Sequence, residues 1–290
     1  GSFGYRYVSP QLTFPYYSIN NDNNRMSGGN ILATWRRQLK DSESYKLQVY
    51  YDQTRQNLNL FEEERHKADI EFQHQRLFGN SHEVVWGLGY RLSVDDFEES
   101  TFARIHPKSR HTHLFSFFIQ DEIELLEDKV FLTLGSRFEH NDYTGLEVQP
   151  SARLLWNMDN RQVLWGAVSR AVRTPSRAER DSRLDVTVLP PDFLYPGSPP
   201  VINSAFGNKD LDSEELIAYE LGYRLQLTKN FSADAALFYH DYDSLVSAAP
   251  STPFAENAPP PPHLVIPYPV DNEEEGETYG LELTGKWQTY

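Results

Sequence analysis

The sequence contains no cysteine, only two methionines, fewer basic than acidic residues and no long apolar run. Without cysteine there is no disulfide framework, no zinc–thiolate centre and no thiol nucleophile. With 27 Lys+Arg against 42 Asp+Glu the formal charge is −15, which excludes the basic face of a nucleic-acid binder. No stretch approaches the ~20 consecutive apolar residues of a membrane-spanning helix. The mean hydropathy of −0.60 has the sign of a water-soluble chain, yet strands with one apolar and one polar face also average out hydrophilic. A length of 290 residues leaves room for one large domain or two smaller ones.

What the chain does have is alternation. Ile217, Tyr219, Leu221, Tyr223, Leu225 and Leu227 interleave with Glu220, Arg224 and Gln226, and Tyr279, Leu281, Leu283 and Trp287 interleave with Thr278, Glu282 and Lys286. A period of two is the mark of a strand whose faces meet different surroundings. Similar runs lie at about 31–38, 45–52, 66–76, 83–93, 112–125, 130–140, 147–156, 162–171 and 231–241, giving eleven strands with a possible twelfth at 3–8. The prediction is therefore an all-β, antiparallel, up-and-down architecture. Runs of 8–14 residues exceed the ~5–6 usual in soluble domains and suit the ~9–11 of a tilted strand crossing a bilayer.

Loop lengths sort by parity. Short connections are expected at 40–43, 79–81, 127–129, 158–160 and 228–230, and long ones at 54–64, 94–110, 141–146, 172–214 and 246–277. Outer-membrane barrels show this asymmetry, with tight periplasmic turns and long outer loops. The interleaved residues are charged too often for a dry interior: Arg137 shares a face with Glu139, and Glu220 with Arg224. Unpaired charge is costly to bury, so that face must meet water or a polar filler, and the apolar face then meets lipid. Trp86, Trp156, Trp165, Trp287, Tyr90, Tyr223 and Tyr239 lie near strand ends, where interfacial girdles would sit. A one-sided soluble sheet would explain the alternation but neither the strand length nor the loop parity.

Several motifs occur in a fixed order. The hairpin Gln149-Pro-Ser-Ala-Arg-Leu-Leu-Trp156, then Leu164-Trp-Gly-Ala-Val-Ser-Arg-Ala-Val-Arg-Thr-Pro-Ser176, ends in an Arg-aliphatic-Arg-small-Pro exit. Gly207-Asn-Lys-Asp-Leu-Asp-Ser-Glu-Glu215, Phe238-Tyr-His-Asp-Tyr-Asp-Ser-Leu-Val246 and Thr278-Tyr-Gly-Leu-Glu-Leu283 follow. In this arrangement the chain resembles TonB-dependent outer-membrane receptors over roughly residues 30–290. The resemblance implies a 22-stranded transmembrane β-barrel closed by an N-terminal plug, of which residues 1–290 would be a partial barrel domain of about eleven or twelve strands without the plug. It also implies the Gram-negative outer membrane as location and import of a large scarce ligand, a ferric siderophore, as function. The TonB complex would be a partner through the absent plug, with outer-membrane lipid around the wall. Lumen candidates facing the plug are Arg137, Glu139, Arg153, Glu220 and Arg224. Haem receptors of this kind carry a histidine between the proline exit and the Asn-Leu motif, and residues 173–214 contain none.

The chain begins without Met, and Tyr290 falls on the polar phase of Thr284, Lys286 and Gln288, so the native chain is expected to continue. A partial barrel would expose two unpaired edges, with edge-to-edge self-association as one outcome.

Loop 172–214 carries Arg173, Arg177, Arg180 and Arg183 with Phe193, Tyr195 and Phe206 among prolines. Guanidinium groups suit anionic oxygens and rings suit stacking, so Arg173, Arg177, Arg180, Phe193, Tyr195, Phe206 and, from loop 246–277, Tyr268 are the ligand-binding candidates. That second loop holds Pro259–Pro262 and an acidic run from Asp271 to Glu277 and reads as mobile and hydrophilic, with a gating lid or a partner-binding surface as the alternatives. His111 with His113, and His240 with Asp241 and Asp243, lack convergent spacing for a metal. Ser244, His240 and Asp241 cannot all share a face. No catalytic residue, metal or cofactor is expected. The competing readings are a stand-alone twelve-stranded channel or outer-membrane hydrolase, and a soluble β-rich binding module.

Overall fold

The computed structural model describes residues 2–40, 43–57, 61–100 and 102–288, with side chains except those of 2–7, 20–23 and 40. Asp41 and Ser42 of the first predicted turn, residues 58–60 of the first predicted long loop, and Tyr290 lie outside these ranges.

The chain runs β1 (Ser2–Pro10), β2 (Tyr17–Lys40), β3 (Glu43–Asn57), β4 (Phe61–Phe78), β5 (His82–Glu99), the short β6 (Ala103–Ile105), β7 (Ser109–Leu126), β8 (Val130–Asn141), β9 (Gly145–Asp159) and β10 (Gln162–Arg173). The one-turn α1 (Arg177–Asp181) follows, then β11 (Ser182–Leu189), β12 (Val201–Phe206), β13 (Glu214–Thr228), β14 (Phe231–Ala248), β15 (Phe254–Glu256) and β16 (His263–Trp287). Among the described residues the predicted all-β architecture is what the chain forms, and β1 supplies the predicted twelfth strand. Twelve strands, β1–β5, β7–β10, β13, β14 and β16, pair antiparallel in sequence order to make a wall. The wall is not closed: among the described residues β1 and the 270–287 part of β16 each have a wall neighbour on one side only.

Register carries the alternation across the wall. Trp35, Leu47, Phe72, Leu88, Phe117, Phe138 and Val148 stand opposite one another strand by strand. Farther along, Leu154, Gly166, Leu221, Leu237 and Leu281 do the same. A slip of one residue would exchange the faces, so these rows hold the register. The apolar face is exposed: Ile70 is 44%, Leu154 46% and Leu221 49% exposed. The polar set lies on the opposite face, where rings pack closely against the strands although Arg153, Glu220 and Arg224 are exposed as well. There, a Cβ at Gly222 would sit 2.2 Å from the Trp165 ring and one at Gly280 would sit 2.5 Å from the Phe238 ring. The glycine of Thr278-Tyr-Gly-Leu-Glu282 thus leaves space for a ring on the neighbouring strand.

Aromatic rows frame the apolar band. Tyr279, Tyr239 and Tyr219 stand opposite one another, and beyond them come Glu277 and Asp241. Trp287 lies eight residues on in β16 (287 − 279), about 26 Å of strand against an apolar band of ~25 Å.

The predicted loop lengths need correction at one end of the wall. Turns at 79–81, 127–129, 160–161 and 229–230 are short as expected. At the other end, however, 142–144 is a short turn, and much of 54–64 and 94–110 is strand. The predicted mobile loop 246–277 is mostly strand as well: β14 reaches Ala248, and the acidic run belongs to β16, with Glu277 opposite Asp241 and Glu274 opposite Leu245. Charged residues above the lipid band can stay paired in a sheet, so the end of hydrophobic alternation marks the band's edge, not the strand's.

Candidate functional site at the outer mouth

The long connections fold over one end of the wall as a second sheet. β11 pairs with β6 and β12, β12 runs parallel to residues 264–269 of β16, and β15 pairs with the start of β16. Among the described residues nearly all buried apolar side chains are in or beside this cap: Phe97, Ala103, Ile105, Val201, Ile202, Leu211 and Val265.

Ser176-Arg-Ala-Glu179 starts the cap as a capping box: the Ser176 hydroxyl accepts from the Glu179 amide, and the Glu179 carboxylate accepts from the Ser176 amide. The resulting turn aims Arg177 inward. Its Nη1 donates to Asp181 Oδ2 at 3.0 Å, its Nη2 lies 3.4 Å from Asp95 Oδ1, and its guanidinium sits 5.6 Å over the Phe97 ring. Arg110 Nη1 donates to the same Asp181 oxygen at 2.7 Å. Arg110 and Arg180 both lie against Tyr143, at 4.9 and 5.1 Å from its ring centre. Arg180 also donates to the carbonyls of Leu211 and Tyr143 at 3.2 and 3.3 Å. Burial pushes the Asp95 carboxyl above its usual range against the pull of Arg177, and burial likewise raises the Tyr143 hydroxyl.

Arg173 leaves the wall at the Arg-aliphatic-Arg exit and clamps two carboxylates, Glu214 at 2.5 and 2.7 Å and Glu179 at 2.9 and 3.1 Å. Hydrogen bonds from Arg173 hold Glu214 below the usual carboxylate range. Burial opposes ionisation of Glu179, yet its bonds to Arg173 and Ser176 still keep it low. A second network joins the cap strands. Arg183 donates to both oxygens of Glu256 at 2.7 and 2.8 Å, Asp185 accepts from Arg104 and Ser204 at 2.8 and 2.6 Å, and the fully buried His263 faces Glu256 at 3.4 Å.

Of the candidate ligand residues, Arg177 and Arg180 are therefore buried in the cap's own bonding and Arg173 ties wall to cap. Phe206 lies under Arg183, 4.9 Å from its guanidinium, and Tyr268 is partly covered in β16 opposite Ala205. Phe193 and Tyr195 stand out on the β11–β12 hairpin, 60% and 54% exposed. Their tip is held closed: the Gly197 amide donates to Asp192 Oδ1 at 2.6 Å and the Asp192 amide to the Ser198 carbonyl at 3.0 Å. Asp192 and Gly197 take positive φ to make that turn.

Arg137, Glu139, Arg153, Glu220 and Arg224 share the polar face. Arg137 donates to Glu139 at 2.6 Å, Arg224 pairs with Asp234, and Arg153 lies 4.9 Å over the Trp165 ring. No cluster of three or more metal-ligating side chains occurs among the described residues. His240 packs beside Phe238 at 5.0 Å, on the face opposite Asp241. Sequence reasoning sees Asp181 and Asp185 only as acids set among the arginines of loop 172–214, and it missed Asp95, Tyr143, Glu256 and His263. Among all of these, only the stretch after Ser176 carried a local signal, the Ser-x-x-Glu capping pattern.

An open antiparallel wall with an apolar and a polar face, capped at one end, has the strand arrangement of part of an outer-membrane β-barrel. The family model for the TonB-dependent receptor-like β-barrel matches residues 1–290, and the chain belongs to that family. Its place is the Gram-negative outer membrane. The chain is 27% identical over 206 residues to the iron-regulated outer membrane virulence protein of Vibrio cholerae serotype O1, a match covering 70% of this chain and 29% of that protein. Its structure is similar to that of the siderophore receptor PirA from Pseudomonas aeruginosa, with TM-score 0.69, 17% identity and coverage of 92% of this chain and 48% of that one. It is also similar to a mutant of the ferric enterobactin receptor PfeA from Pseudomonas aeruginosa, with TM-score 0.71, 19% identity and coverage of 90% and 41%. The chain thus spans less than half the length of these relatives.

Proposed function

We propose that residues 1–290 are part of the barrel of a receptor that imports a ferric siderophore, driven by the TonB complex. The observation that carries this reading is the inverted wall. Its apolar rows fill one face and its charged rows the other, strand after strand, as a layer between lipid and a polar lumen requires. Family membership, a relative named as iron-regulated and a structural neighbour named as a siderophore receptor support the ligand class. In this reading further strands complete a 22-stranded barrel against the free edges of β1 and β16, and a plug fills the lumen against Arg137, Glu139, Arg153, Glu220 and Arg224. The free edges of an isolated segment would pair with each other or with a second copy.

At the outer mouth the roles divide. Phe193 and Tyr195, on a closed tip, contact the ligand directly. Arg173, Arg177 and Arg180 serve binding by holding the loops, since their guanidinium groups are already engaged. Phe206 and Tyr268 back the hairpin from the cap sheet. The test is uptake of iron-loaded siderophore by cells whose full-length receptor lacks residues 190–199, with surface expression held equal. Uptake should fall at least tenfold; unchanged affinity and uptake would defeat the assignment.

A further inference from the structure

The strap that joins β14 to β16, residues 249–262, is tied to the cap at few points. Its short strand β15 makes three pairs with the start of β16: Phe254 with Val265, Ala255 with Leu264 and Glu256 with His263. Phe254 adds a ring contact with Phe206 at 6.2 Å, and the Ser251 amide donates to the Pro267 carbonyl at 2.8 Å. Beyond β15, Pro259 and Pro260 form one side of a cavity of about 400 Å³ whose other walls include Leu12, Phe102, Val188 and Ile202. The strap thus closes that cavity on one side, at the base of the β11–β12 hairpin.

Opposite the end of β15 lies a covered titratable side chain: His263 is 2% exposed. Its Nδ1 is 2.9 Å from the Pro261 carbonyl oxygen. A carbonyl only accepts, so Nδ1 carries a hydrogen and Nε2 is the nitrogen left to titrate. Nε2 has no hydrogen-bond partner and lies 3.4 Å from Glu256 Oε2. That carboxylate is ionised, because Arg183 donates to both of its oxygens and holds it below the usual carboxylate range. With a single proton on the ring, a nitrogen lone pair faces a carboxylate in a buried place. With a second proton the same contact becomes a charge-assisted hydrogen bond.

The surrounding charges leave that second proton free to come and go. Among the described residues, Arg183 and Asp185 on β11, Arg104 on β6 and Glu256 on β15 form one chain of ion pairs, two positive groups against two negative, and β12 adds the neutral Ser204. The proton on His263 is the one charge of the set that can leave near neutral pH. We infer that it is a latch: on Nε2 it fastens Glu256 and β15 to β16, and its loss lets the strap lift and uncovers the cavity. The closed strap takes up the proton and the lifted strap releases it. Closure is therefore favoured on the acid side of the histidine range and opening on the basic side, a window apart from that of the carboxylates.

Because the sequence has no cysteine, cysteines introduced at the exposed Val186 and Asn257 can carry a pair of spin labels in the full-length receptor. Double electron–electron resonance should give one distance at about pH 5.5 and a second, longer one at about pH 8, with the share of the longer distance rising about tenfold between the two. His263→Gln keeps a donor toward Glu256 that does not titrate, so its distances should be the same at both pH values. Glu214→Gln, which alters the Arg173 clamp elsewhere in the mouth, should shift as the wild type does. One distance at both pH values in the wild type, a shift that survives His263→Gln, or a shift abolished by Glu214→Gln would each overturn the inference. If His263→Gln does not fold, Glu256→Gln takes its place: its amide can donate to an unprotonated Nε2, so the strap should stay closed at the higher pH. A wild-type shift in that variant would overturn the latch.

Discussion

The wall and the cap solve the burial problem in opposite ways. In the wall, Ile31, Leu283 and Trp287 are more than 70% exposed, while charged side chains such as Glu220 and Arg224 take the other face. In the cap, Val201, Val265 and Leu211 are at most 2% exposed, and charges enter only as bonded sets such as Arg177–Asp181. One chain thus answers to two solvents. Lipid rewards the wall's exposed apolar rows, and water rewards the cap's sealed ones.

The comparison can be broken most forcefully at Arg177. Replacing it with Ala leaves Asp181 and Asp95 buried with less compensation, a loss of about 3–5 kcal/mol. The cap should open to protease between 182 and 200 while the barrel keeps its heat-modifiable gel mobility. Loss of both together would merge the two regions into one folding unit. Core truncation sharpens the contrast. Leu211→Ala should cost the cap about 2–5 kcal/mol, whereas Leu237→Ala on the wall should leave stability in lipid nearly unchanged, because lipid chains replace the lost contact. Leu237→Arg should cost about 2–4 kcal/mol in a refolding titration, and Glu220→Arg on the reverse face far less.

Acid should affect the cap selectively. Arg173 holds Glu214 below the usual carboxylate range, so its contribution is complete above an unfolded value of ~4.3 and disappears as pH falls through the folded value. Asp95 is shifted upward and works in the other direction, favouring the folded cap on acidification. The wild-type cap should loosen below about pH 4, and Glu214→Gln should lose part of that pH dependence in a proteolysis profile. The smallest effect on stability is expected at the hairpin tip. Phe193→Ala with Tyr195→Ala should leave both regions intact and weaken ligand binding about tenfold or more, measured by calorimetry on the full-length receptor.

The wall was legible because its physics is local: alternation along Ile217–Leu227 and Tyr279–Trp287 states which face meets lipid without reference to any other strand. That Arg137, Glu139, Arg153, Glu220 and Arg224 share the face opposite the apolar rows follows from the same parity. The cap was not legible, because its bonds join distant residues. Arg177 meets Asp95, and Arg183 meets Glu256, and no periodicity connects such pairs. Four arginines in a proline-rich stretch look like free ligand donors until their acids are located. The parallel pairing of β12 with residues 264–269 has no sequence signature either, which is why strand was mistaken for loop there.

The central claim is that the apolar face of the wall meets lipid tails and the charged face an aqueous interior. Single cysteines introduced at positions 217–221, 223 and 224 of β13 in the full-length receptor, spin-labelled in bilayers, test it directly, Gly222 being left in place because it has no room beside Trp165. Collisions with oxygen should peak at 217, 219, 221 and 223, and collisions with a water-soluble nickel reagent at 218, 220 and 224. Uniform accessibility along the strand, or the opposite phase, would contradict it.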